Sequence, residues 1–223
     1  MWPDGFSSLM AVKDVLALLM TGFAVKALDD WIDRGYLEVG RQDRQSGAEA
    51  DLNDLLGSAL PAYLALSLCL AVTLNWRWAA SIFLACYGLG MSGRLTQRFA
   101  SGLSGLVEII LVAVWGVLTL GWLEMGGAAA FVASAQLLDD WRDANPDRRS
   151  GNPNLLLRWG TAPFVLVSVM VTALALYIDA AKSLTGYTAL LLLWLILRLL
   201  VAAGPDADSR ASSDGSVGRS WVE

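Results

Sequence analysis

The chain has 223 residues, of which 56% are hydrophobic and only 17% are charged, and its mean hydropathy is +0.51. Because roughly a quarter of the residues of a soluble domain are charged, this composition excludes an ordinary water-soluble protein and predicts an all-α, polytopic transmembrane bundle. The chain contains no histidine, which excludes histidine triads and histidine-ligated metal sites, and its net charge of −5 gives no indication of a nucleic-acid partner.

Apolar runs separated by polar segments predict about seven membrane-spanning helices, since about 20 apolar residues cross a bilayer as a helix. The run from Gly102 to Leu123 contains a single charge, Glu108, and the run from Gly160 to Ile178 contains none. Pro146 disfavours the helical conformation at Asn145 and is expected to end the fifth helix there. The predicted helices are 9–34, 53–75, 77–94, 103–122, 124–145, 158–179 and 184–203.

Loop charges predict the orientation of this bundle. The loops on one side carry nine arginines: Arg34, Arg41, Arg44, Arg94, Arg98, Arg142, Arg148, Arg149 and Arg158. The opposite loops between helices carry only Arg77 and Lys182. Cytoplasmic loops carry the basic excess, so we expect the Asp-rich loops in the cytoplasm and the amino terminus outside. Residues 1–203 are predicted to form one transmembrane domain, followed by a disordered cytoplasmic tail over residues 204–223.

The pattern Asp-Asp-Trp-x-Asp occurs twice, 110 residues apart, at the ends of the first and fifth predicted helices. Residues three and four apart share a helix face, so each cluster presents its carboxylates together. Gathered carboxylates repel one another unless a cation neutralises them, and oxygen ligands without histidine or cysteine suit Mg²⁺. Two such clusters facing each other are expected to bind a diphosphate through metal ions, with nearby arginines on the phosphate oxygens. Solvated charge at helix ends is the alternative interpretation.

Other polar and reactive residues in the apolar runs give weaker indications of a functional role. Glu108 is a candidate functional residue because ionisable groups inside a membrane are costly, although packing against a polar partner is an equal alternative. Lys26 precedes Asp30 by four residues and is expected to pair with it. Cys69 and Cys86 form no metal or redox motif and are expected to be small buried residues.

These motifs resemble those of the UbiA superfamily of membrane prenyltransferases. The second signature of that family reads Asn/Asp-Asp-x-x-Asp-x-x-x-Asp-Arg, followed by Gly, a basic residue and a Thr-Leu pair. The residues that match it here are Asp139, Asp140, Asp143, Asp147, Arg148, Gly151 and Leu155. The first signature, Asn-Asp-x-x-Asp-x-x-x-Asp, matches at Asp29, Asp30 and Asp33. More loosely, Tyr87, Arg94 and Arg98 correspond to the family's Tyr-containing helix end and the basic loop after it.

The chain departs from the family pattern at several positions. Leu37 replaces the fourth acidic residue of the first signature, and Asn152 and Asn154 replace the basic residue and the threonine of the second. Family members usually have nine helices, so this chain is expected to lack the first and the last. The resemblance therefore implies a shortened, divergent member with a UbiA-like fold.

The resemblance implies a Mg²⁺-dependent prenyltransferase that moves an isoprenyl group from a prenyl diphosphate to an aromatic or lipid acceptor in the membrane. The implied catalytic residues are Asp30, Asp33, Asp140 and Asp143. The implied metal ligands are Asp29, Asp30, Asp33, Asp139, Asp140, Asp143 and Asp147. The implied substrate-binding residues are Tyr87, Arg94, Arg98 and Arg148. Two alternatives stay open: a membrane terpene cyclase of the same family, and a non-catalytic membrane protein that binds or carries a lipid diphosphate or an ion.

Overall fold

The computed structural model describes residues 11–28, 57–97, 101–150 and 154–202 of the chain. All regular structure in these residues is helical, which confirms the predicted all-α class. Two 3-10 turns, η1 (Gly57–Ala59) and η2 (Met91–Arg94), flank helix α2. The helices are α1 (11–28), α2 (Leu60–Gly90), α3 (Gly105–Leu120), α4 (Trp122–Arg142), α5 (Ala144–Ser150), α6 (Leu155–Trp159), α7 (Thr161–Ile178) and α8 (Ala180–Ala202).

Three helical segments within the described residues are long and apolar enough to cross a membrane. They are Gly57–Gly90, Thr161–Ile178 and Ala180–Leu199, while the apolar helix Gly105–Leu120 is shorter. Many large apolar side chains point outward from these helices, including Leu118 and Tyr177. Such outer surfaces suit contact with lipid, and membrane association is therefore possible for this chain.

Asn75 and Asp179 interrupt the helical backbone in the same way. Asn75, inside α2, has φ −152° and ψ 90°, and Asp179, between α7 and α8, has φ −151° and ψ 87°. In each case the side-chain Oδ1 accepts a hydrogen bond from the backbone N–H of the third residue onward, Trp78 (3.2 Å) or Lys182 (2.9 Å). This is the N-cap arrangement that Asn and Asp favour. Each residue therefore starts a new helical segment: 76–90 after Asn75, and α8 after Asp179.

Helices α4 and α8 run side by side in the same direction. Near their first residues the Lys182 ammonium pairs with the Glu124 carboxylate. Near the end of α4 the Arg142 guanidinium lies over the Trp194 ring, 4.6 Å from its centroid. The bundle thus has two ends, which we call the Lys182 end, where α4 and α8 begin, and the Asp140 end, where α4 finishes.

The segment 76–90 also starts at the Lys182 end. The Arg77 guanidinium donates to the carbonyl of Leu120, the last residue of α3, just before α4 begins. Ten residues later along the segment, the Tyr87 hydroxyl donates to Glu108 in the first turn of α3 (2.5 Å). The segment 76–90 and α3 are therefore antiparallel, and α3 begins at the Asp140 end.

Helix α1 runs toward the Asp140 end as well. Near its start, Asp14 Oδ1 accepts a hydrogen bond from Asn75 Nδ2 (2.8 Å), directly before the segment that begins at the Lys182 end. Near its other terminus, buried Ala27 packs against Leu60 at the start of α2. The part of α2 before Asn75 is therefore antiparallel to α1.

Helix α4 lies at the centre of the packed core. Its residues Ala128, Phe131 and Val132 are buried. They contact buried residues from α1, α2, α7 and α8: Leu18, Leu19, Ile82, Ala85, Ala175, Ala189 and Leu193. Small residues allow the close approach, since a Cβ added at Gly186 of α8 would lie 2.5 Å from the Phe131 ring, and close helix packing in membranes depends on such residues.

The structure differs from the predicted boundaries around the second Asp cluster. Helix α4 ends at Arg142, and α5 follows, so the predicted continuous helix to residue 145 and the loop after it are wrong. Pro146 lies in the first turn of α5, where a missing backbone N–H is tolerated. The predicted helix 158–179 is divided at Gly160, whose φ of 82° is incompatible with a continuous helix and which separates α6 from α7.

Three further expectations are corrected or lie beyond the described residues. Lys182 is inside the first turn of α8 rather than in a loop. Cys69 is exposed on α2 and Cys86 is only half-buried, so the expected burial of Cys69 is wrong. The predicted junction between helices 53–75 and 77–94 coincides with the break in the backbone of α2 at Asn75, although the second segment ends at Gly90 and is followed by the 3-10 turn η2. Residues 29–34, 53–56 and the tail from 204 onward lie outside the described residues.

Candidate functional site

The buried side chain of Asn154 organises the carboxylates at the Asp140 end. Its Nδ2 donates to the backbone carbonyl of Asp140 (2.8 Å) and to Oδ2 of Asp147 (2.7 Å). The backbone N–H of Leu155 donates to Oδ2 of Asp140 (3.2 Å). These bonds fold α5 and α6 back onto the end of α4, and they fix Asp140 and Asp147 relative to each other.

The local sequence explains why Asn154 takes this position. It has an extended backbone, with φ −142° and ψ 131°, and is the N-cap of α6. Its Oδ1 accepts from the backbone N–H groups of Leu156 (3.0 Å) and Leu157 (3.4 Å). The amide oxygen thus accepts hydrogen bonds from backbone N–H groups in the first turn of α6, while the amide nitrogen donates to two aspartates. In the sequence, Asn154 stands out only as a departure from the family pattern, although Asn before an apolar run is an N-cap signal.

Arg142 neutralises the other two aspartates of this cluster. Its guanidinium contacts Asp139 (3.3 Å) and Asp143 (2.9 Å), and it lies over the ring of Trp194 on α8. The Arg142 and Asp139 side chains are each about half-exposed. In this arrangement the four predicted aspartates are divided into a pair held by Asn154 and a pair held by Arg142.

Partial burial raises the pKa of two carboxyls at this site. Asp139 and Asp140 lie at the polar end of α4, outside the segments long enough to cross a membrane. Burial is the largest cause that raises the pKa of both carboxyls, and neighbouring carboxylates raise it further. The nearby Arg142 acts in the opposite direction on Asp139, as the Leu155 N–H does on Asp140. A bound cation would relieve the same penalty.

The end of α1 lies close enough to the second cluster to act on it electrostatically. The Lys26 ammonium lowers the pKa of the Asp139 carboxyl, against the larger effect of burial. Lys26 belongs to the last turn of the described part of α1, and the first cluster follows within a few residues in the sequence. Asp29, Asp30 and Asp33 themselves lie outside the described residues. Within the described ranges, no group of three or more Asp, Glu or Cys residues is arranged to hold a metal ion.

The predicted substrate-binding residues have different surroundings. Tyr87 donates its hydroxyl to Glu108, and Ser101 Oγ donates to the other oxygen of the same carboxylate. Arg94 is the last residue of η2, at the Asp140 end of the bundle. Arg148 is exposed on α5 at the same end. Arg98 lies outside the described residues.

A second polar cluster, at the Lys182 end, was not predicted as such. The Lys182 side chain is 1% exposed and pairs with Glu124, which also accepts a hydrogen bond from Ser81 (3.1 Å). The ammonium lies 5.8 Å from the centroid of the Trp78 ring, and Asp179 Oδ2 is 3.8 Å away. The sequence predicts Lys182 in a loop between helices. Its only local signal was the spacing of three residues from Asp179.

Comparison of the chain with protein-family models, with curated proteins and with solved structures finds no match. The motifs around the two Asp clusters and the geometry at the Asp140 end are therefore the basis for assigning a function.

Proposed function

We propose that the protein is a Mg²⁺-dependent membrane prenyltransferase of the UbiA type, which transfers an isoprenyl group from a prenyl diphosphate to an aromatic or lipid acceptor. The observation that carries this proposal is the packing at the end of α1: Ala27 lies in one apolar cluster with Leu197 of α8, one turn beyond Trp194, whose ring is covered by Arg142 of the second motif. It supports a common space for the two Asp-Asp-Trp-x-Asp motifs, because the first motif begins directly after Leu28.

Magnesium would be held by carboxylates from both motifs, as the matched positions of the two UbiA signatures imply. The proposed ligands are Asp29, Asp30, Asp33, Asp139, Asp140, Asp143 and Asp147. When bound, Mg²⁺ would neutralise the charge of the diphosphate leaving group. Carboxylate oxygens are the ligands that Mg²⁺ prefers, which makes the donor set chemically suitable.

The protein's own residues would bind and orient the substrate. Arg94, Arg98 and Arg148 are the proposed partners of the phosphate oxygens, since guanidinium groups bind phosphate through paired hydrogen bonds. Asn154 would keep Asp140 and Asp147 in place through its amide nitrogen. The isoprenyl chain would lie among apolar helix surfaces, where exclusion of water protects a carbocation from hydrolysis.

We also propose a seven-crossing arrangement with the Asp140 end in the cytoplasm. The new helical segments that begin at Asn75 and Asp179, and the alternating directions of the packed helices, support the number of crossings. The basic excess of the predicted loops at the Asp140 end supports the orientation.

Product analysis with purified protein tests the proposal. The protein is incubated with Mg²⁺, prenyl diphosphates of several lengths and candidate acceptors, and released pyrophosphate and prenylated products are measured. Asp143→Asn is expected to abolish product formation, whereas Asp179→Asn, an equally conservative change at the Lys182 end, is expected to retain it. An Asn at residue 179 still supplies the oxygen that caps α8.

The same experiment distinguishes the alternatives. A cyclic or rearranged hydrocarbon formed without an acceptor indicates a terpene cyclase. Binding of prenyl diphosphate without release of pyrophosphate indicates a carrier or binding protein. Failure to bind any prenyl diphosphate in the presence of Mg²⁺ overturns the proposed function.

A further inference from the structure

Glu108 joins three parts of the chain near the Asp140 end through one buried carboxylate. The residue is only 8% exposed. Oε2 accepts the hydroxyl hydrogen of Tyr87 on α2 (2.5 Å), and Oε1 accepts that of Ser101, which precedes α3. A carboxylate suits this position because it accepts from both hydroxyl groups without presenting a donor to either. Without these partners, a buried carboxylate would be strongly unfavourable.

The connection between η2 and α3 is tied down by the same group of bonds. The backbone N–H of Gly105 donates to the carbonyl of Gln97 (3.0 Å), and that of Leu106 donates to the carbonyl of Leu95 (3.0 Å). Ser101 Oγ, besides donating to Glu108, accepts from the Leu103 N–H (3.2 Å). The connection thus has backbone bonds at both ends, while the Glu108 carboxylate anchors its middle to α2.

This connection begins at Arg94, the last residue of η2. Tyr87 lies two turns earlier, on the helix that leads into η2, so Glu108 holds the approach to Arg94 as well as the segment after it. This carboxylate is buried, and each of its oxygens already accepts a hydroxyl hydrogen from the protein, so its contacts are made within the fold rather than with a substrate. Its effect on chemistry must therefore pass through the geometry of the residues that it anchors.

We propose that Glu108 is a positioning residue, whose bonds to Tyr87 and Ser101 hold the backbone of η2, which ends at Arg94, in place at the end of the bundle where the diphosphate group is proposed to bind. This inference rests on the proposed function, and it assigns Tyr87 a supporting role through Glu108 rather than direct contact with the substrate. Glu108 takes no part in any bond that forms or breaks.

Titration of full-length protein in detergent with inorganic pyrophosphate and Mg²⁺ tests this role. Glu108→Ala is expected to weaken pyrophosphate affinity on the order of tenfold, the effect of losing charge-assisted hydrogen bonds. Glu108→Gln keeps an accepting oxygen and is expected to recover part of the affinity. In the Arg94→Gln background, Glu108→Ala is expected to cause little further loss, because two changes that act through one contact are not additive.

Two controls separate positioning from general destabilisation. Glu124→Gln removes a carboxylate in the first turn of α4, at the Lys182 end, and is expected to lower stability without changing pyrophosphate affinity. Hydrogen exchange at the amides of Gly105 and Leu106 is expected to accelerate in Glu108→Ala and to stay unchanged in Glu124→Gln. This readout requires no ligand.

The outcomes distinguish this inference from the proposed function. If the unmodified protein binds no pyrophosphate or prenyl diphosphate with Mg²⁺, the proposed function fails and the inference fails with it. If the unmodified protein binds and Glu108→Ala binds equally well, the inference alone is overturned. It is also overturned if Glu108→Ala and Arg94→Gln weaken binding independently and additively, or if exchange at Gly105 and Leu106 is unaffected.

Discussion

Lys182 and Glu124 form an ion pair at the start of two parallel helices, with the Lys182 side chain almost completely buried and Glu124 only 15% exposed. Removing one partner leaves an uncompensated buried charge, which typically costs about 3–5 kcal/mol. Lys182→Met is therefore expected to lower the free energy of unfolding by roughly that amount. Denaturant unfolding in detergent measures it, with Lys13→Met, at an exposed lysine of α1, as the control.

The double variant Lys182→Met/Glu124→Gln provides an internal check on this explanation. It removes both charges, so its loss of stability should be smaller than that of Lys182→Met alone. A double variant that is less stable by the sum of both single losses would show that the pair does not act as a unit.

Replacement of Asn154 should separate helix capping from the organisation of the carboxylates. Asn154→Ala is expected to lower stability by about 0.5–2 kcal/mol through loss of the cap, and also to weaken Mg²⁺-dependent diphosphate binding. Asn154→Ser keeps a capping oxygen but loses the two bonds donated by Nδ2, so it should retain most of the stability and still bind diphosphate weakly. Thermal unfolding and titration are compared with Asn145→Ala, at an exposed asparagine of α5. Normal binding by Asn154→Ser would contradict the proposed role.

The two Asp clusters should behave as one site. Asp33→Asn and Asp143→Asn are each expected to abolish Mg²⁺-dependent binding of a non-hydrolysable prenyl diphosphate analogue, because either change leaves the metal with an incomplete set of ligands. The double variant should be little worse than either single variant. Binding that survives in one single variant, or losses of affinity that add independently, would mean that the two clusters do not form one diphosphate site.

Arg142 should compete with metal ions for Asp139 and Asp143. Arg142→Gln removes a cation that already pairs with both carboxylates, so Mg²⁺ binding in the absence of diphosphate is expected to tighten. Because the pairs are substantially exposed, the effect on stability should be small. Titration with Mg²⁺ checks this, with Arg149→Gln, at an exposed arginine of α5, as the control. Weaker Mg²⁺ binding would indicate that Arg142 supports the site instead of occupying it.

The orientation of the bundle can be tested with reporters at the ends of the chain. A reporter fused after Gly204 should behave as cytoplasmic, and one fused before Met1 as external, because the basic residues are concentrated in the predicted loops at the Asp140 end. Both reporters on the same side would require a different number of crossings. The reversed pattern would contradict the argument from loop charge.

The helical class and the position of the second Asp cluster at a helix end could be predicted from the sequence, because long apolar runs leave few other folds. The position of Pro146 in the first turn of α5 could not be predicted, since a proline can either follow the end of one helix or occupy the first turn of the next. The partners of Glu108 and Lys182 come from residues 21 and 58 positions away. Such contacts depend on how helices pack, and periodicity in the sequence does not specify packing.

The direction of α4 has an electrical consequence for its two groups of carboxylates. Glu124 lies in the first turn, where the helix macrodipole concentrates partial positive charge, whereas Asp139 and Asp140 lie in the last turn, where it concentrates partial negative charge. The peptide field thus stabilises the acid at the Lys182 end and opposes the acids at the Asp140 end. Any cation bound among those aspartates is attracted by the backbone as well as by the side chains, and this attraction persists when a single aspartate is replaced by asparagine.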